Sequence, residues 1–318
     1  MAFFYTFVTY FYVMLHHNQD LNTRMQLFLR NTRNEASTLQ RCSIAGIKIF
    51  LIFLTVSIHS VNAQEFGLEL YSLRDQFAKD VPGTMDKVRK IGIKEVEITG
   101  TYGLSFPDFI KILAKNEMSV ISYGSDFEKL KNFPQNLADE ARSYGAKFVV
   151  VFWIPHDGDN FTAEDVDKAA EVFNSAGKIM ARNGLMLCYH PHGYEFKPYK
   201  DGTLFDYMVE KFDQRVVQFE MDVFWVKQAG QDPVALLKKY SSRFVLLHLK
   251  DRKKGTRNSD NGRADVESNV VLGTGDVGIA EIVAEAQRIG IQHYFIEDES
   301  SRAEEQILKS LKYLRSLR

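Results

Sequence analysis

Four apolar runs in this chain end in side chains that can bind a metal or move a proton. Leu185–Phe196 (LMLCYHPHGYEF) begins as an apolar run of strand length and ends in His190, His192 and Glu195. Val216–Trp225 (VVQFEMDVFW) carries Asp222, Phe244–Asp251 (FVLLHLKD) carries His248, and His293–Ser300 (HYFIEDES) carries Glu297. A single histidine or acid after a strand is ordinarily a solvated, capping or satisfied core group. Four consecutive strands ending this way are what a barrel with a metal site at its top face requires. Asp222, His248 and Glu297, with one donor from the first run, form a mixed nitrogen and oxygen set suited to Mn²⁺, Mg²⁺, Co²⁺ or Zn²⁺.

Such groups meet only if the strands run parallel and in series, and the chain alternates accordingly. Strand-like runs fall at Phe66–Leu73, Glu95–Thr99, Ser119–Tyr123, Lys147–Trp153, Leu185–His190, Val216–Asp222, Phe244–Lys250 and Tyr294–Glu297. Helical segments are predicted at Thr84–Ile91, Ser105–Met118, Pro134–Tyr144, Thr162–Asn183, Thr203–Phe212, Asp232–Tyr240, Ile279–Ile289 and Arg302–Leu317. Ser105 and Thr162 are N-caps, and Gly92, Gly145 and Gly184 are stops. Eight such units in about 250 residues predict a single (β/α)8 TIM barrel. The runner-up, an open nucleotide-binding sheet, needs a glycine-rich turn after its first strand, and Tyr71-Ser72-Leu73-Arg74-Asp75 offers none. The longest interruption, Arg252–Asp276, is a polar Gly/Asn/Asp-rich loop after the seventh strand and is expected to act as a lid.

The amino terminus reads differently. Residues 1–63 hold only Asp20 and Glu35 against Arg24, Arg30, Arg33, Arg41 and Lys48, followed by the apolar Ile49–Ile58 and then Val61-Asn62-Ala63. A basic flank, a short apolar stretch and small residues at −3 and −1 make a signal peptide cut after Ala63. A spanning helix needs about 20 apolar residues, so stable insertion after cleavage is not expected; a tether at Phe3–Leu15 is the alternative. The leader is also longer than usual, which suggests a start upstream of the true one. Residues 64–318 then form the barrel domain of an exported, periplasmic protein. The whole chain has a net charge of −1 and its leader is basic, so the rest is acidic and carries no nucleic-acid footprint. Of the two cysteines only Cys188 lies in the barrel segment, so no disulfide supports it.

The motifs LYSLRD, VEITG, YHPHGYEF, MDVFW, LHLKD, GTGD and FIEDES together resemble the sugar phosphate isomerase/epimerase group of xylose isomerase-like TIM barrels, from Phe66 to the carboxyl terminus. The resemblance implies one divalent metal held by Glu, Asp, His and Glu at the ends of strands five to eight. Asp222, His248 and Glu297 match the last three; the first position has no matching glutamate, and the candidates are His190, then Glu195, then His192. It also implies proton transfer beside a carbonyl through an enediolate, with the metal polarising the oxygen. In that chemistry Glu297 serves as ligand and base, and Lys250 stabilises negative charge. Glu97 or Glu220 takes a second acid/base role, with a buried ion pair as the equal alternative for Glu97. His192, Glu195, Asp251, Trp225 and Tyr71 contact a carbohydrate substrate, with Trp153 and Phe224 as further stacking surfaces, although rim aromatics are often only packing. The expected activity is metal-dependent isomerisation or epimerisation of a sugar or keto-sugar. A 3-keto-glycoside lyase working by β-elimination and a non-catalytic carbohydrate-binding barrel are the alternatives. An apurinic endonuclease would need a basic groove that the acidic domain lacks.

Overall fold

The computed structural model describes residues 65–317; the leader and the expected cut after Ala63 lie outside them. Eight strands, β1 (Phe66–Glu69), β2 (Glu95–Ile98), β3 (Ser119–Ser125), β4 (Phe148–Val151), β5 (Met186–Tyr189), β6 (Val217–Asp222), β7 (Phe244–Leu249) and β8 (His293–Ile296), close into one barrel. Every neighbouring pair is parallel, and Phe66 opposite Tyr294 closes the ring. The alternation of strand and helix is why: a parallel partner can be reached only by a crossover, and a helix supplies it.

Both faces of these strands are covered, which explains their near-continuous apolar sequence. Inside the barrel, Ile121, Val150, Cys188, Leu246 and Phe295 form a small apolar cluster joined by Phe148 and Phe152. Outside it, a much larger core joins the strands to the helices, with Leu187, Val149, Phe173, Phe205 and Leu311 among its members. The helix starts follow the sequence signals. Ser105 accepts from the Asp108 N–H, and Thr162 forms a reciprocal capping box with Asp165. The helix before β2 begins earlier than expected, at Val81, because Asp80 caps it by accepting from the Gly83 N–H.

Two expectations about the top face need correction. The first apolar run is a strand only to Glu69; its carboxylate accepts the Tyr71 N–H at 3.0 Å and turns Leu70–Leu73 into a 3₁₀ helix. The Arg252–Asp276 loop is a clasped rim instead of a lid. Asp251 accepts from the N–H groups of Arg252, Gly273, Gly275 and Val277 at 2.8–3.2 Å. The Arg252 guanidinium forks onto Asp276 at 3.0 and 3.1 Å, and Asp251–Arg252 pairs antiparallel with Asn269–Val270. Only glycine fits at 275, where an added Cβ would meet the Arg252 carbonyl at 2.2 Å. Among the described residues no helix is long and apolar enough to cross a membrane.

Candidate metal centre

The strand register decides which side chains meet. Asp222, the last residue of β6, lies opposite His248 of β7, and Glu69 of β1 lies opposite Glu97 of β2. His190 and Glu297 follow β5 and β8 directly, their N–H groups still bound to the Val151 and Leu249 carbonyls at 3.1 Å. All of these groups are buried, above an apolar floor in which Phe152 meets the His190 ring edge-on at 5.3 Å and Phe295 meets His248 at 6.1 Å.

His248 stands at the middle. Its Nδ1 is 2.9 Å from Glu297 Oε2, while its Nε2 is 2.9 Å from Glu97 Oε1 and 3.3 Å from Glu220 Oε2. The His190 Nδ1 is 2.9 Å from Glu220 Oε2, so Glu220 sits behind His190 and fixes its ring. That leaves His190 Nε2 facing Asp222 Oδ2 at 3.7 Å, and neither atom has a hydrogen-bond partner. Buried polar atoms are nearly always satisfied. Asp222 Oδ1 caps the helix Val223–Gln228 through the Phe224 and Trp225 N–H groups, so Oδ2 is held in place while bonded to nothing. Asp222, His248 and Glu297 also bring donor atoms within 4.8 Å of one another. Two further buried sets meet the same spacing, His190 with Glu220 and His248, and Glu69 with Glu97 and His248, so the donors present could hold a divalent ion.

Charge is distributed unevenly in this space. Burial raises Asp222 to about 7, against the opposing pull of Lys250. Burial would raise Glu297 too, but Lys250 and His248 outweigh it and hold that carboxyl well below the usual range. His248 is driven well above an ordinary imidazole, since Glu220 and Glu97 overcome its burial. Burial lowers His190 strongly and brings His192 to about 4, leaving both rings neutral and able to donate a lone pair. Lys250 stays protonated because Glu297, Glu299 and Asp222 outweigh its desolvation; its Nζ lies 3.5 Å from Glu297 Oε2, 3.9 Å from Asp222 Oδ2 and bonded to Glu299.

The remaining expected residues separate. His192 packs on His190 with ring centres 4.7 Å apart and lies between the indoles of Trp153 and Trp225, at 5.7 and 5.5 Å. Trp225 also lies under the Lys250 ammonium. Glu195 points away: its carboxylate accepts from the Tyr189 hydroxyl and the N–H groups of His192 and Gly193, closing the turn in which Gly193 adopts φ 104°. Asp251 is occupied by the loop it clasps, and Tyr71 is half exposed under the Arg74 guanidinium. Glu69 belongs to the cluster, and sequence reasoning missed it because the strand seemed to run on to Leu73. The acid that interrupts the apolar run, with Tyr71-Ser72 two residues on, could have marked the strand end.

Residues 85–317 match the profile of the xylose isomerase-like TIM barrel family. An inosose dehydratase of Klebsiella pneumoniae is 32% identical over 97 residues, 29% of this chain and 30% of that protein. A second, from Clostridium botulinum, is 26% identical over 184 residues, 50% of this chain and 59% of its own length. The chain thus matches only part of these curated relatives. A sugar phosphate isomerase/epimerase from Parabacteroides distasonis superposes with a TM-score of 0.68 at 24% identity, covering 81% of this chain and 98% of its own. The zinc-bound IOLI protein superposes with a TM-score of 0.62 at 14% identity, over 80% of this chain and 97% of its own.

Proposed function

Because the chain belongs to the xylose isomerase-like TIM barrel family, we propose that it is a metal-dependent enzyme that removes a carbon-bound proton beside the carbonyl of a sugar or keto-sugar and so isomerises or epimerises it. One observation carries the reading: His190 Nε2 and Asp222 Oδ2 face each other in a buried space with no other partner, next to Glu297 and Lys250. His190, Asp222, His248 and Glu297 would hold the ion. When bound it supplies a Lewis acid that makes the neighbouring C–H more acidic.

The chain's own residues do the rest. Glu297, kept ionised by Lys250 and His248, is the acceptor for the carbon proton and returns it on the same or the neighbouring carbon. Lys250, buried and always charged, lies where negative charge develops on the substrate oxygens. Glu97 holds the far nitrogen of His248 and keeps that ring from turning. Trp225 and His192 offer flat surfaces for the apolar face of a sugar ring. In the basic run Arg252–Lys254 after the seventh strand, Arg252 is spent on Asp276, so nothing in that run requires the substrate to be phosphorylated.

A second reading has its own support. The curated relatives are named as dehydratases. The same proton removal next to a carbon bearing a leaving group would end in β-elimination. Incubation with Mn²⁺ and a panel of ketoses and 3-keto-glucosides in D₂O tests the shared step. Metal-dependent deuterium incorporation, lowered at least ~100-fold in Glu297→Gln, supports catalysis. Release of water or an aglycone selects elimination; tight sugar binding with no exchange anywhere overturns both in favour of a binding protein. We also propose that the barrel is exported after cleavage behind Ala63.

A further inference from the structure

Below the His190–Asp222 pair the barrel buries three more acids, Glu69, Glu97 and Glu220, all at most 2% exposed. Each has one carboxylate oxygen anchored by a protein donor. Glu69 Oε1 takes the Tyr71 N–H at 3.0 Å, Glu97 Oε1 takes His248 Nε2 at 2.9 Å, and Glu220 Oε2 takes His190 Nδ1 at 2.9 Å. Each also has one buried oxygen that no donor reaches: Glu69 Oε2, Glu97 Oε2 and Glu220 Oε1. Beside Glu97 in the register, Ser122 on β3 has a buried hydroxyl that is likewise unpartnered.

Anchoring one oxygen and presenting the other is how proteins hold carboxylates for a metal. Ion pairing with the two histidines explains only part of the arrangement. Of the nearby cations, Lys250 is committed to Glu297, Glu299 and Asp222, on the opposite side of His248. His248 is bonded to Glu97 at 2.9 Å and lies 3.3 Å from Glu220, but one imidazolium that is also bonded to Glu297 cannot balance three carboxylates, and each one left charged in this buried space costs several kcal/mol. Glu69 and Glu97 bring ligand atoms within 4.8 Å of each other and of a His248 nitrogen, a spacing that small readjustment turns into coordination.

We propose that the barrel binds a second divalent cation through Glu69, Glu97 and Nε2 of His248, so that one imidazole stands between two ions. His248 already presents Nδ1 to Glu297 and Nε2 to Glu97 and Glu220. Serving both requires its remaining N–H proton to leave for solvent, with the second ion's charge replacing it. The strands divide the work: β5, β6 and β8 carry the upper site, β1 and β2 the lower, and β7 is shared. The lower site accounts for why a glutamate ends the first strand, a position with no part in the proposed proton transfer.

The test is stoichiometry, with Mn²⁺ as the probe. Chelator-stripped barrel protein is reconstituted with Mn²⁺ and desalted, then read by elemental analysis and electron paramagnetic resonance. The proposal expects two ions per chain with a spin-coupled spectrum in the parent. It expects one ion with an uncoupled six-line spectrum in Glu69→Gln, with circular dichroism unchanged. Asp222→Asn should also keep one ion, the lower one, and combining the two substitutions should leave none. A parent that saturates at one ion, with Glu69→Gln the same, overturns the second site and assigns the spare oxygens to shared protons, while leaving the upper site intact. A folded Glu69→Gln that binds no ion also overturns it, because the sites would not be separable. Loss of the ion in Asp222→Asn alone, from a parent that holds one, supports the upper site and rejects the lower.

Discussion

Glu195→Gln should change sides with pH: less stable than the parent in mild acid and more stable above neutrality. The Glu195 carboxyl is fully buried and holds the turn after His190 together, and burial raises its pKa from an ordinary 4.5 to about 7. Between those values the folded protein keeps a proton that the unfolded chain releases, so parent stability falls as pH rises through the window and levels off above it. A shift of that size corresponds to about 3 kcal/mol in all. Glutamine cannot ionise, so the variant loses none of it. Its cost is geometric and small: the amide oxygen can keep the His192 and Gly193 N–H groups, and the NH₂ can donate to the Tyr189 hydroxyl, which then turns its proton to Tyr194 at 2.7 Å. One rearranged bond costs about 1 kcal/mol. The variant should therefore trail by about 1 kcal/mol at pH 4, come nearly level with the parent at pH 5 and lead by about 2 kcal/mol at pH 8. Urea unfolding of both proteins at pH 4, 5, 6, 7 and 8, with chelator present to remove metal linkage, measures the difference. The acids around His248 titrate in both proteins and cancel. A difference that stays constant with pH would show that Glu195 is ionised throughout, and the account of the turn would fail.

Three further outcomes follow. His190→Ala should lower metal occupancy at least ~10-fold more than His192→Ala, since only His190 has a nitrogen facing Asp222; the opposite ranking in elemental analysis would move the ligand to His192. Asp251→Asn should destabilise the barrel by about 2–3 kcal/mol, because the amide NH₂ would confront backbone N–H donors now held at 2.9–3.2 Å; an unchanged midpoint in thermal unfolding would mean the loop is not clasped through this residue. Mass spectrometry of the exported form should find an amino terminus at Gln64, and an intact Met1 in the membrane fraction would refute the cleavage.

The barrel was legible because its strands are apolar runs punctuated by caps and glycines at nearly constant spacing, a pattern set by local physics. The donors at the ends of β6, β7 and β8 were legible for the same reason, since a polar residue closing an apolar run has few places to go. Glu195 and Asp251 were not. Each sits one turn beyond a strand end, where the sequence does not say whether a carboxylate faces the substrate space or its own backbone, and here both are taken by N–H groups. The Arg252–Asp276 loop misled similarly: its composition announces a loop, while the Arg252–Asp276 fork and the Asp251 clasp that hold it are long-range pairings.

The departure at the fifth strand has a physical reading of its own. The resemblance leads one to expect a glutamate where the proposed ligand set has His190, a change that takes one negative charge out of that set. The carboxylate is displaced, not lost, since Glu220 lies directly behind the imidazole at 2.9 Å and polarises it through Nδ1. A histidine backed by a carboxylate is a stronger donor than a bare one, yet it is neutral, so Lys250 keeps its three carboxylate neighbours, Glu299, Glu297 at 3.5 Å and Asp222 at 3.9 Å, without a fourth from this position. With an ion bound, the exchange would favour ions that accept nitrogen, such as Zn²⁺, over Mg²⁺, which prefers oxygen. It also ties the ligand's orientation to β6, whose Glu220 and Asp222 stand on the same strand two residues apart, one behind His190 and one in front of it.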